Sequence, residues 1–443
     1  MQKNKNFKLH EAIRIREEKD HALLFDKRNF SIRKLSIDFF YVLKKIDCFN
    51  YSFEQLINEE KFENIQEKEE LEKLISLLLD TKCIVYGQND ANKVKQIFLM
   101  RDLSLNFQAP NFVWWDITSL CNLKCYYCYS SSGKKQDTEL STLQIYKILD
   151  ELNDMGIFFV FILGGEPQLR ENIEDIVRYI SKLGLGLMIT TNGTLITEQF
   201  AKALKDASTT IVRVSIDADE AVIHDEIRGV KGCFNKSIAG VKMLAKYNFN
   251  SLGFSTTILP ENYKRIKNII FLAKSLQCNH IQMTVLSPTG RACETNRFLS
   301  EEQIIEVGDA INELYQDEAK NNTGFLIDAP EGTMDKEVCH DVFIHRENAD
   351  FMGCGGGRTC LAIYSNGDVG YCLLHRNKLN NLQEKDFKLI WKDINVENNS
   401  AKSLYCNDCI HNEECAGPCL MLENQCVCER EEIFNQQLKK EVK

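Results

Sequence analysis

The chain has 443 residues, a length that at ordinary domain sizes makes room for roughly three domains. Its net charge of −10, from 54 basic and 64 acidic side chains, excludes the basic surface of a general nucleic-acid binder. No run of about 18 apolar residues predicts a membrane span. The opening MQKNKNFKLHE has no apolar segment of a secretory signal, which points to the cytoplasm.

Residues 1–87 read as a small winged-helix-like module. Stretches around Ala12–Ile15 and Ala22–Phe25 suit a hairpin, and an amphipathic helix follows near Ile37–Ile46. Ser52 with Gln55 three residues on is a capping-box start for a second helix. Leu71, Leu74, Ile75, Leu78 and Leu79 carry the one-face spacing of a third helix, and Cys83–Tyr86 reads as a closing strand. The module holds sixteen Lys+Arg and sixteen Asp+Glu. Without a basic face for phosphate contacts, it is a poor DNA binder.

Residues 88–110 are polar and irregular, as in a linker. From Phe112 apolar strands alternate with amphipathic helices. Strands are expected near Phe112–Ile117, Phe158–Leu163, Leu187–Thr190, Ile211–Ser215, Phe254–Ile258 and His280–Val285. Helices are expected near Thr142–Met155, Ile173–Leu183, Glu198–Lys205, Asn235–Tyr247, Tyr263–Leu276 and Glu301–Tyr315. Such alternation implies parallel strands joined by right-handed crossovers. Six units over residues 111–329 make an α/β partial (β/α)6 barrel with its site at the carboxyl ends of the strands. From 330 to 443 cysteine-rich loops take over.

The chain carries 18 cysteines. In a reducing compartment clustered cysteines point to metal rather than to disulfides. Three lie within residues 121–128, and nine run from Cys354 to Cys428. Cys48, Cys83, Cys233, Cys278, Cys293 and Cys339 stand alone, where cysteine usually serves as a small buried hydrophobe.

Cys121, Cys125 and Cys128, spaced CxxxCxxC directly after the first barrel strand, can each reach one iron of a cubane from a single loop. A 4Fe–4S cluster normally takes four protein ligands, so three leave one iron open for chemistry. A zinc site completed by a distant cysteine is the alternative, although zinc sites more often pair cysteines as CxxC. Gly164-Gly165-Glu166-Pro167 ends the second barrel strand, Thr190-Thr191-Asn192-Gly193 the third, and Ser215 the fourth, ahead of Arg228. Glycines admit close backbone approach, and a carboxylate such as Glu166 accepts bonds from an ammonium group.

With Tyr127 before the last cysteine, these segments resemble the radical S-adenosylmethionine (SAM) superfamily over roughly residues 111–290. The resemblance implies that SAM chelates the open iron and is cleaved to a 5′-deoxyadenosyl radical that abstracts hydrogen from substrate. It further implies that Tyr127, Gly164, Gly165, Glu166, Pro167, Thr191, Asn192, Ser215 and Arg228 contact SAM, with Ser215 and Arg228 on its carboxylate. A surface salt bridge is the other reading of Arg228.

The tail order is Cys354, Cys360, Cys372, then Cys406-x2-Cys409-x5-Cys415-x3-Cys419, then Cys426 and Cys428. It resembles the SPASM extension, which implies two auxiliary 4Fe–4S clusters and three clusters in all. Cys354, Cys360, Cys372 and Cys419 would hold the first. Cys406, Cys409, Cys415 and Cys428 would hold the second, with Cys426 possible in place of Cys428. The short spacings also leave open a three-cysteine first cluster, and a zinc ribbon is a further alternative. Sulfatase-maturing relatives place an aspartate base after the third cysteine, where this chain has Leu373.

The order of module, barrel and tail resembles the sactipeptide and ranthipeptide synthases, whose N-terminal PqqD-like element adds a leader peptide as an extra strand. The resemblance implies thioether formation on a ribosomally made precursor peptide, with electrons from a donor such as flavodoxin or ferredoxin. Carbon–carbon cross-linking, epimerisation, porphyrin-type maturation and a non-catalytic iron–sulfur protein remain open. No general acid or base can be assigned from the sequence.

Overall fold

The computed structural model describes residues 5–86, 108–329 and 356–398, apart from positions 19–20, 29–30, 50, 60–64, 137, 322, 358, 375 and 377. The described residues up to 86 pack as one compact unit and those from 108 onward as another.

The N-terminal unit runs β1 (Phe7–Leu9), β2 (Ile13–Glu17), β3 (His21–Asp26), β4 (Ser31–Ser36), α1 (Ile37–Phe49), α2 (Phe53–Glu59), α3 (Ile65–Asp80) and β5 (Ile84–Tyr86). Antiparallel pairing orders three strands β2-β3-β4, while β1 pairs with β5. The sequence shows the hairpin, three helices and closing strand. It does not announce β1 or β4. In β4 the core-side alternation is broken because Arg33 occupies a buried position. The Ser52–Gln55 capping box forms, with Ser52 N donating to Gln55 Oε1 at 2.8 Å and Gln55 N to Ser52 Oγ at 3.3 Å. Leu43, Ile46, Phe53, Leu56, Ile75 and Ile84 close the unit's core.

The second unit is an α/β fold around a ten-stranded sheet. Its strands and helices follow as β6 (Phe112–Asp116), α4 (Thr142–Asp154), β7 (Phe159–Leu163), α5 (Ile173–Lys182), β8 (Gly186–Thr191), α6 (Glu198–Asp206), β9 (Ile211–Ser215), α7 (Ala221–Arg228), α8 (Cys233–Ala245), β10 (Ser251–Ile258), α9 (Ile266–Ser275), β11 (His280–Val285), α10 (Glu301–Asn321) and β12 (Leu326–Asp328). Then come β13 (Cys360–Ile363), β14 (Asp368–Gly370), β15 (Asn380–Asn381) and α11 (Phe387–Asn398). The spatial order is β12-β11-β10-β9-β8-β7-β6-β13-β14-β15, parallel from β12 through β13.

The sheet is therefore longer than six strands at both edges. β12 adds a seventh parallel strand, and the tail contributes β13, paired in register with β6 (Cys360 beside Phe112, Ala362 beside Trp114). Regular structure does not stop at residue 330.

Alternation along each strand sorts the side chains. Val113, Trp115, Val160, Ile162, Ile189 and Val214 join the helices' apolar faces in one large core. The opposite face carries Phe112, Trp114 and Asp116 of β6, with Phe159, Phe161 and Leu163 beside them in register. Across that face Arg213 Nε donates to His280 Nε2 at 3.2 Å and its Nη2 pairs with Asp328 at 3.3 Å, joining β9, β11 and β12.

Candidate active site

β6 ends at Asp116, and the chain passes directly into the loop of Cys121, Cys125 and Cys128. None of the three is in a disulfide; Cys125 is buried and the other two are half-buried. Burial pushes the Cys121 thiol up to about 11 and also raises that of Cys125. A metal bound here would therefore have to displace thiol protons. Among the described residues no three His, Cys, Asp or Glu side chains converge on one metal ion. A cubane asks only one thiolate per iron, and a sulfur-only set on one loop fits it.

Three groups clamp the loop. Glu139 accepts from the Ser119 N–H and hydroxyl, both at 2.7 Å. Arg291 donates through Nε to the Cys125 carbonyl at 2.9 Å and through Nη1 to the Ser132 carbonyl at 2.6 Å. Its backbone N–H also reaches the Cys128 carbonyl at 3.0 Å. The glycine pair after β7 closes the other side. Gly165 N donates to Thr118 O, and Glu166 N to Leu120 O, each at 2.8 Å. A Cβ on Gly165 would stand 2.1 Å from the Leu120 carbonyl oxygen, and one on Gly164, where φ is +120°, would stand 2.5 Å from the Thr118 carbonyl oxygen. The close approach these glycines permit is that of the cysteine loop itself.

Glu166 is fully buried. One carboxylate oxygen accepts from the Thr191 hydroxyl at 2.7 Å and the Gln168 N–H at 3.2 Å; the other accepts from the Asn192 N–H at 2.7 Å. Pro167, also buried, opens the 3-10 turn that follows. Asn192 Nδ2 in turn donates to Asn122 Oδ1 at 2.9 Å, inside the cysteine loop. Burial raises the Glu166 carboxyl, and its three donors oppose that rise.

Arg228 is buried at the end of α7 and is no surface bridge. Its Nε pairs with Asp217 Oδ2 at 2.7 Å, its Nη1 lies 3.8 Å from Cys125 Sγ, and its guanidinium stands 5.4 Å from the Tyr127 ring centroid. Tyr127 donates its hydroxyl to the same Asp217 oxygen at 2.6 Å. His224, one helical turn before Arg228, accepts the Asp217 N–H on Nδ1 at 3.2 Å. Ser215 ends β9 half-buried, and its hydroxyl makes no hydrogen bond among the described residues.

Residues 115–273 match the model of the radical SAM superfamily. The mycofactocin maturase MftC of Mycobacterium tuberculosis is 30% identical over 338 residues, covering 73% of this chain and 81% of the relative. This chain belongs to the radical SAM superfamily. The AdoMet-dependent heme synthase of Methanosarcina barkeri is 28% identical, over 70% of this chain and 91% of that one. In fold, the radical SAM chain matches Streptococcus suis SuiB bound to its precursor peptide SuiA with a TM-score of 0.70 at 18% identity, over 93% of this chain and 95% of SuiB. It matches anSMEcpe bound to AdoMet and a peptide with a TM-score of 0.55 at 18% identity, over 74% and 96%.

Of the expected tail ligands, Cys360 opens β13, buried, and Cys372 lies half-buried beyond β14. Cys354, Cys406, Cys409, Cys415, Cys419, Cys426 and Cys428 lie outside the described residues. Of the isolated cysteines, Cys83, Cys233 and Cys278 are buried, as expected of small hydrophobes. Cys293 departs from that expectation: it is exposed, on a 3-10 turn. The side chain of Cys48 and the whole of Cys339 lie outside the description.

Sequence reasoning missed Asp217, Arg291, Glu139 and Asn122. Asn122 sits inside the cysteine segment, and Asp217 lies two residues beyond Ser215. Nothing local marks Arg291 or Glu139, since what they hold is the cysteine loop from a distance.

Proposed function

We propose that this radical SAM enzyme modifies a ribosomally made precursor peptide, joining a cysteine sulfur to a carbon of the same peptide as a thioether. The observation that carries the radical chemistry is the cysteine loop packed against Glu166 on one side and the Arg228–Asp217 pair on the other. In this reading Cys121, Cys125 and Cys128 hold the cluster. Tyr127, Gly164, Gly165, Glu166, Pro167, Thr191, Asn192, Ser215 and Arg228 form the SAM side. When bound, cluster and SAM supply the 5′-deoxyadenosyl radical that takes hydrogen from the substrate. The chain's own residues orient and enclose: Asp217 aims Arg228, and Arg291 fixes the loop.

The peptide half rests on the N-terminal unit. Its β2-β3-β4 sheet takes no further strand at β2 or β4 among the described residues, and an edge of that kind accepts an extended peptide. The likeness to peptide-bound SuiB supports the same assignment. In the tail, Cys354, Cys360, Cys372 and Cys419 hold one auxiliary cluster, and Cys406, Cys409, Cys415 and Cys428 (or Cys426) the other. A flavodoxin- or ferredoxin-type donor supplies electrons. Relatives named heme synthases favour a second reading, a porphyrin-type substrate at the same site.

The test is anaerobic reconstitution, reduction with dithionite, and addition of SAM with a co-expressed precursor peptide. Prompt 5′-deoxyadenosine, lost on Cys125→Ala, is expected, with about 12 irons per chain; about 8 would mean one auxiliary cluster is absent. The peptide should lose two hydrogens per cross-link, with its cysteine blocked to alkylation. Deoxyadenosine without any peptide change would sink the thioether reading, and solvent deuterium at unchanged hydrogen count would mark an epimerase.

A further inference from the structure

The interior face of the sheet is aromatic along β6 and β7. Phe112 stacks on Phe159 with centroids 4.7 Å apart, and Trp114 lies 4.6 Å from Phe161. Toward the carboxyl ends, Ala362, Tyr364 and Leu373 pack with Trp114, Tyr129 and Leu163 in a small apolar cluster. Leu373 enters that cluster as an apolar side chain and adds no charge to the wall.

Among the described residues, Arg376 stands against this wall. Arg376 donates through Nη1 to Asp116 Oδ2 at 2.5 Å, and its guanidinium lies 4.4 Å from the Tyr364 ring centroid. Tyr129, the residue after Cys128, donates its hydroxyl to the other Asp116 oxygen at 2.9 Å. The Tyr364 hydroxyl is itself fixed on the Cys372 carbonyl at 2.9 Å. Asp116 is buried, whereas the Arg376 side chain keeps 30% of its surface. Arg376 has no other hydrogen-bond partner among the described residues.

A guanidinium offers five N–H donors in a rigid fork. Here one N–H is spent on Asp116 and the guanidinium lies over the Tyr364 ring, so the side chain is oriented before any ligand arrives. Orientation in advance lowers the entropic cost of binding. The remaining donors make no hydrogen bond among the described residues, and the side chain keeps part of its surface exposed next to the apolar cluster. An apolar pocket with one placed polar group recognises a largely apolar ligand by a single anionic handle.

We infer that Arg376, aimed by Asp116 and Tyr364, binds a carboxylate of the substrate at the carboxyl ends of β6 and β13. The assignment rests on the proposed function, in which the substrate meets the radical at this end of the sheet. The carboxylate comes from an acidic peptide side chain or from the propionate of a porphyrin-type substrate.

The reconstituted full chain with SAM is titrated by tryptophan fluorescence with N-acetyl-Leu-Glu-Leu-amide and its Gln counterpart. A second arm uses a porphyrin dipropionate and its dimethyl ester. In at least one arm the acid should bind about ten-fold tighter than its neutral partner, as one charge-assisted contact gives. Arg376→Gln should abolish that preference while leaving the neutral probe's binding unchanged. The arm that shows the preference identifies the source of the carboxylate. Equal binding of acid and neutral probes in both arms overturns the assignment, as does a preference that survives Arg376→Gln. If that variant fails to retain iron, Arg376→Lys decides: it keeps the charge without the fork, so the preference must shrink, and an unchanged one overturns the assignment. Deoxyadenosine measured in the same samples separates the two ideas. SAM cleavage without carboxylate preference removes only the Arg376 role; absence of SAM cleavage removes the functional reading beneath it.

Discussion

The Arg228 guanidinium lies between the Asp217 carboxylate, 2.7 Å from its Nε, and Cys125 Sγ, 3.8 Å from its Nη1. Both charged side chains are buried, and Tyr127 joins them through its hydroxyl on Asp217. In the proposed function Cys125 holds the cluster as a thiolate; a positive group beside it would offset that charge, and Asp217 fixes where the positive group sits.

Replacing Asp217 by Asn leaves the arginine charge buried without its counter-ion. Removing one partner of a buried pair costs about 3–5 kcal/mol. Thermal unfolding of Asp217→Asn should show a loss of that order, together with reduced deoxyadenosine formation. The double variant Asp217→Asn/Arg228→Gln should recover part of the stability and none of the activity. A single variant as stable as the parent would show that the pair is not what holds this end of the sheet.

Gly165→Ala tests the close approach between the two loops. With a Cβ only 2.1 Å from the Leu120 carbonyl and 3.1 Å from the Cys121 Cβ, backbone must shift on one side or the other. The expected result is a fall in iron per chain after reconstitution, with far-UV circular dichroism unchanged because the helices and strands lie outside the clash. Full iron retention would mean the loops separate at little cost.

Arg291→Ala removes two side-chain bonds to loop carbonyls, each to a charged donor and so about 1.5–3 kcal/mol. The loop should then release iron faster to a chelator. Arg291→Lys, able to reach one carbonyl but not both, should fall between. Chelation half-times in the three proteins check the order, and identical half-times would remove the clamp.

His224 gives the second unit an acid-sensitive point. Burial, with Arg228 adding to it, lowers its pKa from 6.5 to about 4. Its Nδ1 must stay unprotonated to accept the Asp217 N–H. The unfolded chain therefore binds a proton that the folded chain refuses between those values. Stability is full above pH 6.5 and declines as the pH falls toward 4, a contribution on the order of 3 kcal/mol when complete. His280, lowered by burial and by Arg213, acts in the same direction. Melting temperatures across this range should fall less steeply in His224→Gln than in the parent. Parallel curves would assign the acid sensitivity elsewhere.

By itself, the sequence determined the alternating strands and helices of the sheet and the cysteine loop with its glycine partner. Those are local signals: periodicity within a dozen residues, and three thiols within eight positions of one loop. It also marked Glu166 and Arg228, though not what holds them. α7 went unread because it is only eight residues long and buries His224 and Arg228 beside Ile227, so its inner face is mostly polar, and β12, with three residues, is too short to alternate. Only the tertiary structure decided that Asp217 pairs with Arg228, that Arg291 reaches back 166 positions to the Cys125 carbonyl, and that Arg376 meets Asp116 across 260. The sheet supplies the reason. Parallel crossovers bring the carboxyl ends of distant strands side by side, so residues with no pattern in common along the chain become neighbours in a buried, low-dielectric site, where a single charge must find its partner.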